Sequence, residues 1–274
     1  MIKKIIQVSD IHIPNYKRIE EYQNVLMTFI NECKEIIEQE GKECVRIVIC
    51  GDLVNNHNEV SNEAYVLTGW FLRELDKLCT TLVFAGNHDK TSNIERTDTL
   101  SAIFMNSNFK QVMYIDKELD YQSGCIVDEN VVWCLFSSFD DFSRPNIEDY
   151  KEGFGERTFV GLFHGDLVSA KTDVGYVTTI GQSPSHFDGV DFALMGHIHK
   201  RQCIKYEGIQ LVYAGSLIQQ NFGENVSDHG YLLWDVENQT YESKNIDNKD
   251  NGYYVVSINS IDDIDKDLEE FINL

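Results

Sequence analysis

The sequence predicts an α/β protein built as a two-sheet sandwich with flanking helices. Three observations lead to it. Over the first hundred residues, short apolar runs alternate with stretches of helical periodicity, the pattern of a parallel sheet with right-handed crossovers. From Val112 onward, apolar runs recur with few long helical stretches between them, so a second sheet packed on the first is the natural way to bury them. Five polar clusters follow these runs: Asp10-Ile11-His12, Gly51-Asp52, Gly86-Asn87-His88-Asp89, His164-Gly165-Asp166 and Gly196-His197-Ile198-His199. Strands that deliver Asp, Asn and His from their carboxyl ends to one rim build a site in a layered α/β fold.

Taken in order, residues 5–8 form the first strand. Val25, Phe29, Ile30, Cys33, Ile36 and Ile37 fall at helical spacing within 16–40, and Gly41 closes that segment. Residues 45–50 are the second strand. A second amphipathic helix covers 61–79, with Ser61 as its N-cap. The third strand is 81–85, and 97–105 reads as a short helix. Further strands are expected at 131–136, 159–163, 192–195, 210–214, 231–236 and 253–258. Residues 169–188, rich in Gly, Ser and Thr, are either an ordered active-site loop or a flexible one. One domain is expected over 1–258. Residues 259–274 read as an acidic C-terminal helix or tail, helical over 262–274.

The composition bounds the function. A chain of 274 residues with 42% hydrophobic content supports one large domain with a sizeable core. No apolar run approaches the ~18 residues of a membrane span, so no membrane role is expected. The N-terminus enters a strand at once, without a signal-peptide pattern. The seven cysteines are scattered, with no CxxC pair, which agrees with an intracellular, reducing compartment. Cys44, Cys50 and Cys134 lie in or beside apolar runs and are expected as core thiols. The net charge of -22 argues against a broad non-specific phosphate-binding face. It leaves room for a nucleic-acid enzyme whose cations are bound metals.

Read as one ligand set, the clusters supply Asp10, His12, Asp52, Asn87, His164, His197 and His199. Mixed nitrogen and oxygen donors without thiolates suit Mn, Fe, Zn or Co better than the all-oxygen shells that Mg and Ca prefer. If Asp52 is shared, each of two metals has about four protein ligands and open positions for water and substrate. Two metals ~3.5–4 Å apart can clamp a phosphoryl group while one activates a hydroxide. The chemistry this suggests is hydrolysis of a phosphate ester. His88 follows Asn87 directly, so its ring should point elsewhere within the site, where it can protonate a leaving oxygen. Asp89 and Asp166 read as supporting or turn-forming groups. His186 and His229 stand beside turn residues and read as surface or loop positions.

This set resembles the calcineurin-like metallophosphoesterase superfamily. Past the metal motifs, the run Gly215-Ser216 … Phe222-Gly223-Glu224 … Gly230-Tyr231 is similar to the end of the catalytic domain in SbcD-like nucleases of double-strand-break repair. The resemblance implies a two-sheet α/β sandwich. It implies one metal on Asp10, His12, Asp52 and His199, and a second on Asp52, Asn87, His164 and His197. Mn is the usual activating ion, with Fe, Zn, Co or Mg as alternatives, and His88 matches the family's proton donor. DNA is the implied substrate, an SbcC-like SMC ATPase the implied partner, and a homodimer through the first two helices a further expectation. Some members carry a His three residues after the bridging Asp. That position is Asn55 here, and Asn55 and His57 are both candidate substrate-binding residues. GNHD, not GNHE, separates the chain from the phosphoprotein phosphatases.

Three functions compete on this reading. The first is a metal-dependent DNA exonuclease or endonuclease. The second is a phosphodiesterase or pyrophosphatase for a small nucleotide, which the charge of -22 favours. The third is a non-catalytic DNA-end-binding subunit, against which the complete ligand set argues.

Overall fold

The computed structural model describes residues 1–56, 59–91 and 96–255. Among these residues, twelve strands form two six-stranded sheets with helices outside. The first half supplies β1 (Lys4–Val8), α1 (Ile19–Glu40), β2 (Val45–Cys50), α2 (Asn62–Asp76), β3 (Thr81–Phe84), α3 (Thr99–Met105), β4 (Val112–Tyr114) and α4 (Ile115–Glu118). The second supplies β5 (Gly124–Asp128), β6 (Val131–Phe136), α5 (Ile147–Phe154), β7 (Thr158–His164), β8 (Phe192–Gly196), β9 (Gln202–Tyr206), β10 (Ile209–Tyr213), β11 (Gly230–Asp235) and β12 (Thr240–Asn245).

The first sheet has the order β12-β11-β1-β2-β3-β4, and β1 to β4 run parallel. The second has the order β5-β6-β7-β8-β10-β9, with β6, β7, β8 and β10 parallel. Central strands are buried on both faces, which is why they read as continuous apolar runs. Ile5, Val48, Leu82 and Phe84 point between the sheets and pack on Leu162, Phe192, Leu194 and Val212. Ile6, Ile47 and Ile49 point outward onto Phe29 of α1 and Phe71 of α2. Phe163 and Met195 point outward from the second sheet onto Phe187 and Ile147.

One buried polar residue ties the sheets together. Gln7 donates from Nε2 to the Met195 and Val212 carbonyls (3.1 and 2.9 Å) and accepts from Trp234 Nε1 (2.8 Å). A buried amide is tolerable because its bonding capacity is used. Phe192 and Trp234 stack beside it at 4.4 Å.

The helix starts follow local chemistry. Ser61 caps α2 through Ala64 N (3.1 Å), as expected. Asp98 caps α3 through Ser101 N (2.8 Å) and so trims the expected helix by two residues. The first helix also begins later than its periodicity predicts. Arg18 is left-handed there (φ 61°), and its guanidinium is spent on Glu21 and the Gln219 carbonyl.

The strand expected at 253–258 is not formed over 253–255. Tyr253 instead exchanges backbone bonds with the Gln219 side chain (2.6 and 3.0 Å) and stacks under Arg18 at 4.6 Å. Its remainder, the 258/259 boundary and the helix expected at 262–274 lie outside the described residues. Cys44 lies just before β2 and is only half-buried, short of the core position expected of it, while Cys50 and Cys134 are buried; none of the seven thiols is in a disulfide. No helix among the described residues is long and apolar enough to cross a membrane.

Candidate metal centre

The five clusters meet at one rim, where the carboxyl ends of β1, β2 and β3 face those of β7 and β8. The chain must turn sharply to point side chains back into this seam. Asp10, His12, Asp52 and His197 have φ of 49°, 51°, 52° and 96°, a region that non-glycine residues seldom occupy. Such strain persists where the surroundings over-determine it. Here the loops after β1 and β2 run side by side: Asp10 N bonds Gly51 O (3.2 Å), His12 N bonds Asp52 O (2.9 Å) and Ile13 N bonds Leu53 O (2.9 Å).

Two groups of donors result. Asp10, His12 and His199 place ligand atoms within 4.8 Å of one another, and so do Asp52, His164 and His197. Asp52 Oδ2 lies 3.6 Å from His12 Nε2 and 3.2 Å from His164 Nε2, so one carboxylate faces both groups. Asn87 Oδ1 closes the second group, 3.2 Å from His164 Nε2 and 2.8 Å from His197 Nδ1. His12 Nε2 and His199 Nε2 face each other at 3.1 Å.

These residues fit divalent cations. Asp10 and Asp52 are 0% and 2% exposed, and among the described residues no Lys or Arg pairs with either. Buried carboxylates need compensating positive charge. Burial raises the Asp10 carboxyl against the pull of His164 and His199. Against the same push, His164 and His12 hold Asp52 below the usual carboxylate range. Burial presses His12 down to about 3, so its ring is neutral at pH 7, and its Nδ1 has no hydrogen-bond partner. Burial opposes charge on His164 as well, but the facing Asp52 lifts it to about 9. A cation would compensate both carboxylates and take the imidazole lone pairs, the pairing that mixed N/O donors favour.

A second layer orients the donors. His164 Nδ1 lies 2.7 Å from the Cys50 carbonyl, and His199 Nδ1 lies 2.8 Å from Glu224 Oε1. With the hydrogen on Nδ1, both rings aim the Nε2 lone pair at the cluster. Glu224 is fixed in turn by Gln220 N (2.8 Å) and Asn221 Nδ2 (2.7 Å). Sequence reasoning gave Glu224 no role: it stands 25 positions from His199, and its only signal is the run that resembles the nucleases.

Asp89 and Asp166 have the supporting places expected of them. Asp89 accepts from Gly86 N (2.9 Å), Leu53 N (3.2 Å) and Val54 N (3.0 Å), which ties the turn after β3 to the loop after β2. Burial and the Asp52 charge push its carboxyl up to about 7. Asp166 Oδ2 is 3.5 Å from His197 Nε2.

His88 stands at the edge. Its N–H donates to Asp52 Oδ1 (2.8 Å), and its Nδ1 lies 2.6 Å from the Asn55 carbonyl. The ring meets His12 edge-on at 4.7 Å and stands within 4.8 Å reach of the His12 and Asp52 donors. Asn55 therefore touches the site through its backbone, with its side chain exposed. His57 lies outside the described residues. His229 is a correction: it is buried behind the site, bonded to Ser216 and to the Asn225 carbonyl (2.6 Å), so its loop position did not make it a surface residue.

Residues 4–239 match the family model for the calcineurin-like phosphoesterase superfamily domain. The chain is 32% identical over 265 residues to the uncharacterized protein R555 of Acanthamoeba polyphaga mimivirus, a match covering 94% of this chain and 19% of R555. It thus spans about a fifth of that relative's length. It is 24% identical over 255 residues to the candidate phosphoesterase 244L of Invertebrate iridescent virus 6, covering 84% of this chain and 75% of 244L. Among solved structures, it resembles TT1561 of Thermus thermophilus at 10% identity and a TM-score of 0.49, covering 89% of this chain and 99% of TT1561. It also resembles an archaeal phosphodiesterase at 12% identity and a TM-score of 0.38, covering 87% of this chain and 97% of that one.

Proposed function

Because this chain belongs to the calcineurin-like phosphoesterase superfamily, we propose that it is a two-metal phosphodiesterase acting on DNA, a nuclease of the SbcD-like kind. The observation behind this reading is the Asp52 carboxylate facing two groups of donors, with His88 at their edge in reach of His12 and Asp52. Asp10, His12, Asp52 and His199 would hold one divalent cation, and Asp52, Asn87, His164 and His197 the other. When bound, such a pair supplies Lewis acidity toward a phosphoryl oxygen and a more acidic water; Mn is the ion we assign.

The chain's own residues do the rest. Asp52 holds the two donor groups in register and fixes the His88 backbone through Oδ1. The Asn55 carbonyl holds Nδ1–H of His88, so the protonated ring has one other proton to give, at Nε2. His88 passes that proton to the leaving oxygen as the P–O bond breaks. Ser216 and Glu224, from the nuclease-like run, stand directly behind His199, which gives that run a physical link to the site. An SbcC-like ATPase would supply the duplex-binding surface that a chain of charge -22 does not.

The same charge favours a second reading, a phosphodiesterase for a small nucleotide on the same centre. Mn-dependent digestion of end-labelled duplex and single-stranded DNA, run beside cyclic and linear dinucleotides, separates the two. Cleavage of dinucleotides with no attack on either DNA would overturn the nuclease assignment.

A further inference from the structure

A cavity of about 400 Å³ opens directly onto the donor groups, with His197 and His199 in its wall. Its size is that of a site for an organic group. Its outer wall is the loop between β7 and β8, which is ordered, not loose. Leu167 bridges Gln182, Lys171 bridges Val177, and the Gln202 side chain clasps Lys171 N and O (2.8 and 2.7 Å). At the tip, Thr172 N bonds Tyr176 O (2.9 Å) and Gly175 N bonds Thr172 O (3.0 Å). This closed turn presents Val174 and Tyr176 to the cavity, and Ile180 joins them farther along the loop, at 77%, 57% and 69% exposure. Large apolar side chains gathered at one cavity mouth mark an interaction site. The charges on the walls are Asp166, Asp173 and Glu224, and among the described lining residues there is no Lys or Arg. Carboxylates repel a further phosphate, so the occupant is the uncharged part of the substrate.

We propose that this cavity takes the nucleoside flanking the scissile phosphate, with Tyr176 as the face on which its base stacks. The proposal rests on the phosphodiesterase reading above. Stacking tolerates any base, because every base has a π-face, so the subsite sets substrate class and not sequence. A strand end and a small dinucleotide both offer that nucleoside.

The test compares thymidine 5′-(p-nitrophenyl) phosphate with methyl p-nitrophenyl phosphate in the Mn-loaded protein, for wild type, Tyr176→Ala and Tyr176→Phe. Wild type should show a KM about tenfold lower for the thymidine ester, within the range of one base stacked on an aromatic ring. Tyr176→Ala should bring the two KM values within about twofold, and Tyr176→Phe should keep the preference. Isothermal titration with thymidine 5′-phosphate should weaken by the same factor in Tyr176→Ala, at unchanged Mn content. Running a single-stranded oligonucleotide beside a cyclic dinucleotide shows which source of nucleoside depends on Tyr176. A KM ratio and a thymidine 5′-phosphate affinity unaltered by Tyr176→Ala overturn the subsite. Failure of wild type to cleave any diester overturns the phosphodiesterase reading instead, and the titration still reports on the subsite.

Discussion

Gly196→Ala is the sharpest perturbation of the seam between the two sheets. Gly196 ends β8, and its φ is not in the left-handed region, so alanine is acceptable to the backbone. The conflict is one of space. A Cβ there would stand 2.7 Å from His164 Nδ1, and closer still to the Cys50 carbonyl oxygen and Ser9 Oγ. All three belong to the site's own support: Ser9 Oγ donates to Cys50 O at 2.9 Å, and His164 Nδ1 reaches the same oxygen at 2.7 Å. Cys50 lies in a central strand, so its carbonyl cannot rotate aside. Overpacking usually costs about 1–3 kcal/mol, and two displaced hydrogen bonds add about 1 kcal/mol each. The expected loss is therefore roughly 3–5 kcal/mol, a large part of the ~5–15 kcal/mol by which a domain is stable. His164 would also turn, and loss of such an orienting bond weakens metal binding by about 10–100-fold. Urea denaturation and Mn titration measure both effects. Gly153→Ala is the control: it lies in α5 with nothing within 4 Å of the added Cβ and should gain roughly 0.5–1 kcal/mol. A Gly196→Ala protein within ~0.5 kcal/mol of wild type, with its Mn affinity intact, would refute the close approach of the sheets on which the site depends.

Four further outcomes are expected. Asp52→Asn should abolish turnover and release most of the second metal, as read by elemental analysis; one tightly held ion with full activity would show that Asp52 does not join the two groups. His88→Ala should keep its metal and lose about 10²–10⁴-fold in rate, less for esters with good leaving groups; a metal-free variant would make His88 a ligand instead. Asp116 is fully buried, and burial lifts it from 3.8 to about 6 although Ser137 Oγ and Ala85 N donate to it. The folded state therefore holds this proton more tightly than the unfolded one. The stability it contributes is fully present below about pH 4 and lost as pH rises through 6, by about 3 kcal/mol. Asp116→Asn should flatten that part of the pH dependence in chelator-treated protein, and an unchanged slope between pH 4 and 7 would remove Asp116 as its source. Finally, the isolated chain should bind duplex DNA weakly at near-physiological salt; tight, partner-independent binding in a DNA titration would reveal a basic face that the charge of -22 conceals.

The sequence by itself determined the central strands, because a strand buried on both faces is mostly apolar, and β2 is read at both ends although it carries Arg46, which is paired with Asp128. The donor types and their order were equally legible, since metal chemistry restricts which side chains serve. Edge strands escaped. β9 and β12 pair on one side only and carry polar residues such as Lys205, Glu242 and Lys244, so neither shows an apolar run. Only the tertiary structure decided how the site is held. The left-handed turns at Asp10, His12, Asp52 and His197 put no glycine at those positions to announce them, and they exist because neighbouring loops bond to each other across the chain. Glu224 behind His199, the Asn55 carbonyl under His88 and the burial of His229 depend on contacts between segments that periodicity does not relate. Local pattern encodes which residues are buried and which can bind; the approach of two sheets at Gly196 and Cys50 sets where each donor points.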